Sequence, residues 1–186
     1  MADYPLAALI TGGAEGIEAN HIPLLLDPEP QPDGTLLGHM ARANTQWQGW
    51  TADTPALAIF RGPQAYISPN WYPSKHENGR AVPTWNYAVV HVHGTVSAFA
   101  DSARLRAFLD RLTAVHEAGE PLPWRPADAP ADYIDGLLNA IVGIELRITR
   151  IEGKWKTGQN QSAANKNGAA EALEALGNTR MSGLMR

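Results

Sequence analysis

Residues 66–87, YISPNWYPSKHENGRAVPTWNY, hold the side chains best suited to chemistry. Trp71, Tyr72 and Trp85 supply planar apolar faces, Ser68 and Ser74 hydroxyls, Asn86 an amide and Lys75 a cation. This mixture suits a ligand with a flat aromatic head and an anionic tail. Taken singly, each aromatic could be core or rim of an ordinary β-barrel, and Lys75 could be solvated. Taken together, ordered aromatics in a long irregular segment are a mark of a functional loop. The segment sits between two strand signals: residues 65–68 stop at Pro69, and Pro83 opens a strand at Thr84. Prolines at strand ends fit their missing backbone donor.

A second candidate lies in residues 36–47, LLGHMARANTQW. As a continuous strand, alternation would send His39 and Arg42 to opposite faces. As a strand ending at Gly38 with a helical turn after it, the three-residue spacing puts both on one side. Met40 to Arg42 favour helix, and the helical reading is preferred. It would place a cation and exposed backbone donors where an anion could bind; an arginine on a solvated turn is the alternative. The Gly12-Gly13-Ala14-Glu15-Gly16 cluster lacks the Lys-Ser/Thr ending of a phosphate loop and reads as a tight turn. His91 and His93 share a strand face, but no third ligand and no carboxylate stands beside them in sequence, so no metal is expected.

Composition narrows the function classes. The chain has 186 residues, 44% hydrophobic and 18% charged, which suits one globular domain over residues 1–186 and argues against wholesale disorder. With no cysteine there is no disulfide framework, thiolate nucleophile or zinc–thiolate site. A net charge of −4 with dispersed cations argues against direct nucleic-acid binding. No apolar run is long enough for a bilayer, and no basic region precedes an apolar run at the amino terminus. A cytoplasmic protein with no membrane partner is expected.

The elements that must position these residues are mostly strands. Residues 6–11 and 17–26 read as a hairpin, 55–61 as a buried strand joined through Gly62-Pro63 to 65–68, and 85–99 as the longest strand. A helical insertion spans 101–139: Asp101 or Ser102 caps a helix to about residue 118, a loop with four prolines follows, and Asp132 starts a short helix. Residues 142–151 form the last strand. A C-terminal helix within 162–178, capped by Ser162, has only a narrow apolar face at Leu173 and Leu176 and needs a partner surface.

With these residues in view, the chain resembles the FMN-binding split-barrel family exemplified by the PaiB-type proteins, called negative transcriptional regulators. The resemblance rests on ANHIPLL at 19–25, GHMARAN at 38–44, YISPNWYPSK at 66–75, VPTWNY at 82–87, VHG at 92–94 and GKWKTGQNQS at 153–162. It implies a mainly β fold with flanking helices, a six-stranded split β-barrel of Greek-key type. It also implies a homodimer with its flavin sites at the subunit interface and FMN as cofactor. By the same resemblance Ser68 and Lys75, with Arg42 and His39, would hold the FMN phosphate. Trp85 and Asn86 would meet the isoalloxazine ring, and Lys156, Gln159 and Asn160 would reach the partner's site. The chain departs from the family pattern in starting close to the first strand, and in carrying Thr157-Gly158 and Gln161 where Leu-Ser and Arg are usual.

The resemblance points to an FMN-binding protein acting as a regulator or as an FMN-dependent oxidoreductase. No acid/base pair or nucleophile stands out, so any redox chemistry would be the flavin's own. The alternative is a haem-binding or haem-degrading split barrel, with His91, His93 and His116 as candidate ligands.

Overall fold

The computed structural model describes residues 1–13, 16–29 and 33–186. Among the described residues there are seven strands: β1 (Leu6–Gly13), β2 (Gly16–Pro23), β3 (Leu25–Asp27), β4 (Thr35–Ala41), β5 (Thr54–Ile67), β6 (Thr84–Phe99) and β7 (Ile141–Lys156). The helices are α1 (Pro73–Asn78), α2 (Ser102–Glu117), α3 (Ala131–Asn139), α4 (Ala163–Ala175) and α5 (Thr179–Met185). The strands hydrogen-bond in the order β2-β1-β5-β6-β7-β4-β3, and the registered pairs are antiparallel. This is the mainly β class with flanking helices that the sequence implies, with seven strands in place of six. The stretch read as one strand over 17–26 divides. β2 pairs with β1 and β3 pairs with β4, while Leu24 between them bonds through its amide to the Pro5 carbonyl at 2.9 Å. Ala14 and Glu15, part of the tight turn expected over residues 12–16, lie outside the described residues.

The helical turn expected after Gly38 does not form. β4 continues to Ala41, with Met40 opposite Val142 and Ala41 opposite Ile141 of β7. Ladder pairing here outweighs a helix preference of a few tenths of a kcal/mol per residue. β5 likewise runs unbroken through Gly62-Pro63, and β7 reaches Lys156, beyond the expected end at 151. The irregular 66–87 segment contains α1 and a 3₁₀ turn, Pro69–Trp71, each with proline in its first turn, where a missing amide costs nothing.

The chain divides into two compact units, residues 1–60 with 91–151, and residues 61–90 with 152–186. In the first, α2 and α3 bury their apolar stripes: Phe108 and Leu112 pack with Leu37, and Leu105 with Ile134 and Leu138. The Asp101 carboxylate accepts from the Arg104 amide at 2.7 Å, the expected N-cap. Gln46 is buried and ties β1 to β2, donating to Thr11 Oγ1 at 3.0 Å and accepting from Asn20 Nδ2 at 2.8 Å.

In the second unit α4 finds its partner surface within the chain. Ala169, Ala170 and Leu173 pack with Ile67, Tyr72, Met181 and Met185 in one buried cluster. Gly168 permits this approach, because a Cβ there would collide with the Trp71 carbonyl oxygen. Ser162 caps α4 as expected, its hydroxyl accepting from the Asn165 amide at 3.2 Å.

Candidate functional site

The residues that close a pocket in the second unit come from three places. The segment after α1 gives Arg80, Ala81 and Val82; the start of β6 gives Thr84 and Asn86; the end of β7 and the turn after it give Lys156, Gly158, Gln159, Asn160 and Gln161. Tyr72 completes the wall of a space of about 260 Å³. Strand alternation selects the β6 contribution: Asn86 is 1% exposed at the pocket, whereas its neighbour Trp85 is 55% exposed and absent from the lining. Gly158 turns the chain at the pocket rim with φ +76°, in the left-handed region that glycine enters without strain.

The electrostatics of this pocket are one-sided. Among the described residues, Lys156 and Arg80 line it and no carboxylate does. The Lys156 ammonium donates to Thr84 Oγ1 at 2.6 Å. Asn86 donates through Nδ2 to the Met185 sulfur at 3.4 Å, a weak acceptor, and its buried Oδ1 has no hydrogen-bond partner. A buried amide oxygen left bare costs about 1–3 kcal/mol, so the pocket wall is complete only when something donates to it. Burial pushes the Tyr72 phenol up, which keeps it a neutral hydroxyl at physiological pH. Gln159 is held by its own turn, accepting from the Thr157 amide at 2.9 Å and donating to the Trp155 carbonyl.

Asn86, Lys156 and Gln159 therefore meet at one pocket. Ser68 and Lys75 lie elsewhere in the same unit and share Asn70. Ser68 Oγ accepts from the Asn70 amide at 3.2 Å, and Lys75 Nζ donates to Asn70 Oδ1 at 2.6 Å. Trp85 stands on the outer side of β6 with its ring edge-on to Tyr66, centroids 6.0 Å apart. His39 and Arg42 belong to the first unit. Arg42 donates to the Asn139 and Ile141 carbonyls at 2.8 and 2.9 Å, capping the C-terminal end of α3. His39 packs edge-on to Phe108, its Nδ1 buried without a partner, and burial lowers its pKa below 6.5.

Tyr72, one of the planar faces expected for a ligand, lines the pocket, and so do Arg80, Thr84 and Gln161, which the sequence had not marked as ligands. Arg80 carried the one usable signal, a cation between the αL glycine that ends α1, Gly79 at φ +70°, and the strand-opening Pro83.

The donor set fits a flavin ring edge: a bare acceptor for an imide N–H, and cations for the oxygens beside it. A family model described as "Putative FMN-binding domain" matches residues 1–150. An uncharacterized protein of Aspergillus fumigatus is 33% identical over 222 aligned residues, covering 95% of this chain and 85% of its own. The Bacillus subtilis protein named protease synthase and sporulation protein PAI 2 is 30% identical over 161 residues, covering 84% and 72%. Among solved structures, the FAD and heme binding protein from Mycobacterium smegmatis superposes with a TM-score of 0.60 at 16% identity, covering 87% of this chain and 70% of its own. A flavocytochrome from Azotobacter vinelandii gives 0.57 at 15% identity, covering 83% and 63%. At such identities the structural likeness speaks for the fold alone, and the fold is the split-barrel class expected from the sequence. Lys156 and Gln159 lie beyond the matched residues.

Proposed function

The chain belongs to this FMN-binding family, and from that premise we propose that it is a flavoprotein whose second-unit pocket receives the polar edge of the FMN ring. The observation that carries the reading is Asn86 Oδ1, which among the described residues is buried without a partner on a wall that has two cations and no carboxylate. The flavin, once bound, would supply the redox chemistry. The chain's own residues would orient the ring through Asn86 and Thr84, with Gln159 shaping the rim from within its own turn, and hold its phosphate through Ser68 and Lys75. Arg42 already spends its fork on two carbonyls, which leaves the phosphate to Ser68 and Lys75 in this reading.

Asn86 and Trp85 face opposite sides of β6, so one ring cannot meet both from a single chain. We assign Trp85 to the partner's ring in a homodimer, which agrees with the exposure of Trp85, Tyr66 and Trp155. A redox role is favoured over direct regulation of DNA because the net charge is −4. A cytoplasmic location belongs to the same proposal; among the described residues, no helix is long and apolar enough to cross a membrane.

The test is the visible spectrum of the purified protein after separate additions of FMN and haemin, each followed by removal of unbound ligand. Two retained flavin bands are expected, and a retained haem band alone would replace this reading with haem binding. Asn86→Leu should weaken FMN binding by about 1 kcal/mol while leaving the flavin-free protein as stable or more so, since it removes a bare buried acceptor. Unchanged FMN affinity in that variant would move the ring away from Asn86.

A further inference from the structure

Arg80 is the group in this pocket that the protein itself leaves unused. Its backbone amide donates to Asn78 Oδ1 at 2.9 Å. Its guanidinium has no hydrogen bond or ion pair among the described residues, although it lines the pocket beside a second cation, Lys156. Among the described residues, the Lys156 ammonium is bonded only to the neutral Thr84 hydroxyl. Two positive charges thus border a partly enclosed space with no internal counter-charge. The fixed acceptor, Asn86 Oδ1, needs a donor, because Nδ2 is engaged by Met185.

A complementary ligand must offer an N–H to Asn86 and negative oxygen or nitrogen to Arg80 and Lys156. A phosphate dianion fails the first condition, since it presents acceptors on every side and would oppose Asn86 Oδ1. The imide edge of a flavin meets both. It carries an N–H between two carbonyls, and on taking up two electrons and one proton the neutral ring becomes an anion with its charge shared over N1 and the adjoining carbonyl. We infer that Arg80, with Lys156 and Asn86, forms a recognition site for the imide edge of the isoalloxazine ring, one that binds the reduced, anionic ring more tightly than the oxidised one. This rests on the flavoprotein reading above. Arg80 would thereby fix the orientation of the ring and bias the site toward reduced flavin.

The experiment compares FMN with riboflavin, which has the same ring and no phosphate, on the full chain and on Arg80→Gln. Arg80 is exposed and its side chain holds no other element, so the variant should fold; circular dichroism and urea midpoints check this. Affinity for oxidised flavin is read from fluorescence quenching and for dithionite-reduced flavin from anaerobic equilibrium dialysis. The unaltered chain should bind the reduced ring more tightly. Arg80→Gln should cut the reduced-to-oxidised affinity ratio by about tenfold, equally for FMN and riboflavin. If both flavins bind and the ratio does not change, the inference is wrong and the flavoprotein reading stands. A loss confined to FMN would also overturn it, by assigning Arg80 to the phosphate. Failure of the unaltered chain to bind either flavin would remove the flavoprotein reading and this inference together.

Discussion

At the scale of single residues, the most informative side chains are polar groups whose bonding is incomplete. Asn86 Oδ1 and His39 Nδ1 are both buried without partners, but their surroundings differ. Asn86 lies on a pocket wall with cations; His39 lies against the Phe108 ring in the first unit. Burial disfavours the imidazolium, so the folded-state pKa of His39 falls below its ordinary value of 6.5. The unfolded chain then binds more protons than the folded one between that depressed pKa and about 6.5. The contribution of neutral His39 is fully present above that window and is lost as pH falls through it. Urea midpoints at pH 7.5 and 5.5 should show a smaller acid-side loss in His39→Leu than in the unaltered protein. Equal losses would mean that His39 gains a proton without cost.

Among the elements, α4 shows how a weakly apolar helix is held. Its alanine-rich face offers little area, and stability comes from close approach: Gly168 lies under the Trp71 carbonyl, and Asn165 donates to Ser74 Oγ at 2.8 Å and to Gln161 Oε1 at 2.9 Å. Propensity alone says that glycine to alanine within a helix stabilises by about 1 kcal/mol. Here the added Cβ would meet backbone that cannot retreat, so Gly168→Ala should instead lower stability, by about 2 kcal/mol. A raised urea midpoint would show that α4 does not sit this close. The same element explains why the Gly158–Gln161 turn stays near the pocket, since Asn165 holds Gln161 from one side and Ser74, beside Lys75, from the other. Sequence reading found α4 and its cap because both signals are local. It missed α5, whose apolar spacing of Met181, Leu184 and Met185 covers little more than one turn, and it read α1 as loop because Pro69 and Pro73 look like breakers when their position in the first turn is not known.

For the molecule as a whole, the proposed dimer follows from faces rather than from composition. Trp85 is 55% exposed, Trp155 49% and Tyr66 47%, all within the second unit. Aromatics of this size left open are a frequent sign of an interface. α4, by contrast, adds little argument for a partner chain, since Ala169, Ala170 and Leu173 are covered by Ile67, Tyr72, Met181 and Met185 of its own chain and Leu176 alone of its apolar face stays open. Light scattering should give twice the chain mass at micromolar concentration, and Trp85→Ser should shift the population toward monomer. A monomeric unaltered protein would leave Trp85 without the role assigned to it.

The sequence by itself determined what depends on neighbours a few residues away. That includes the short apolar run of β1, the alternation that makes β6 and β7 strands, a cap at Asp101 or Ser102 and another at Ser162, and the grouping of aromatics, hydroxyls and amide in residues 66–87 with its resemblance to an FMN-binding family. The tertiary structure decided what depends on residues far along the chain. Gly62-Pro63 stays in a strand, and Met40 and Ala41 do too, because ladder partners override local preference. Which cation is free was decided in the same way. Arg42 looked available in sequence, yet its guanidinium meets carbonyls 97 and 99 positions later. Arg80 looked incidental, yet the turn after β7 brings Lys156 and Gln159 to the same wall. A long side chain's partners are set by which backbones the sheet brings alongside it, and no spacing within its own segment encodes them.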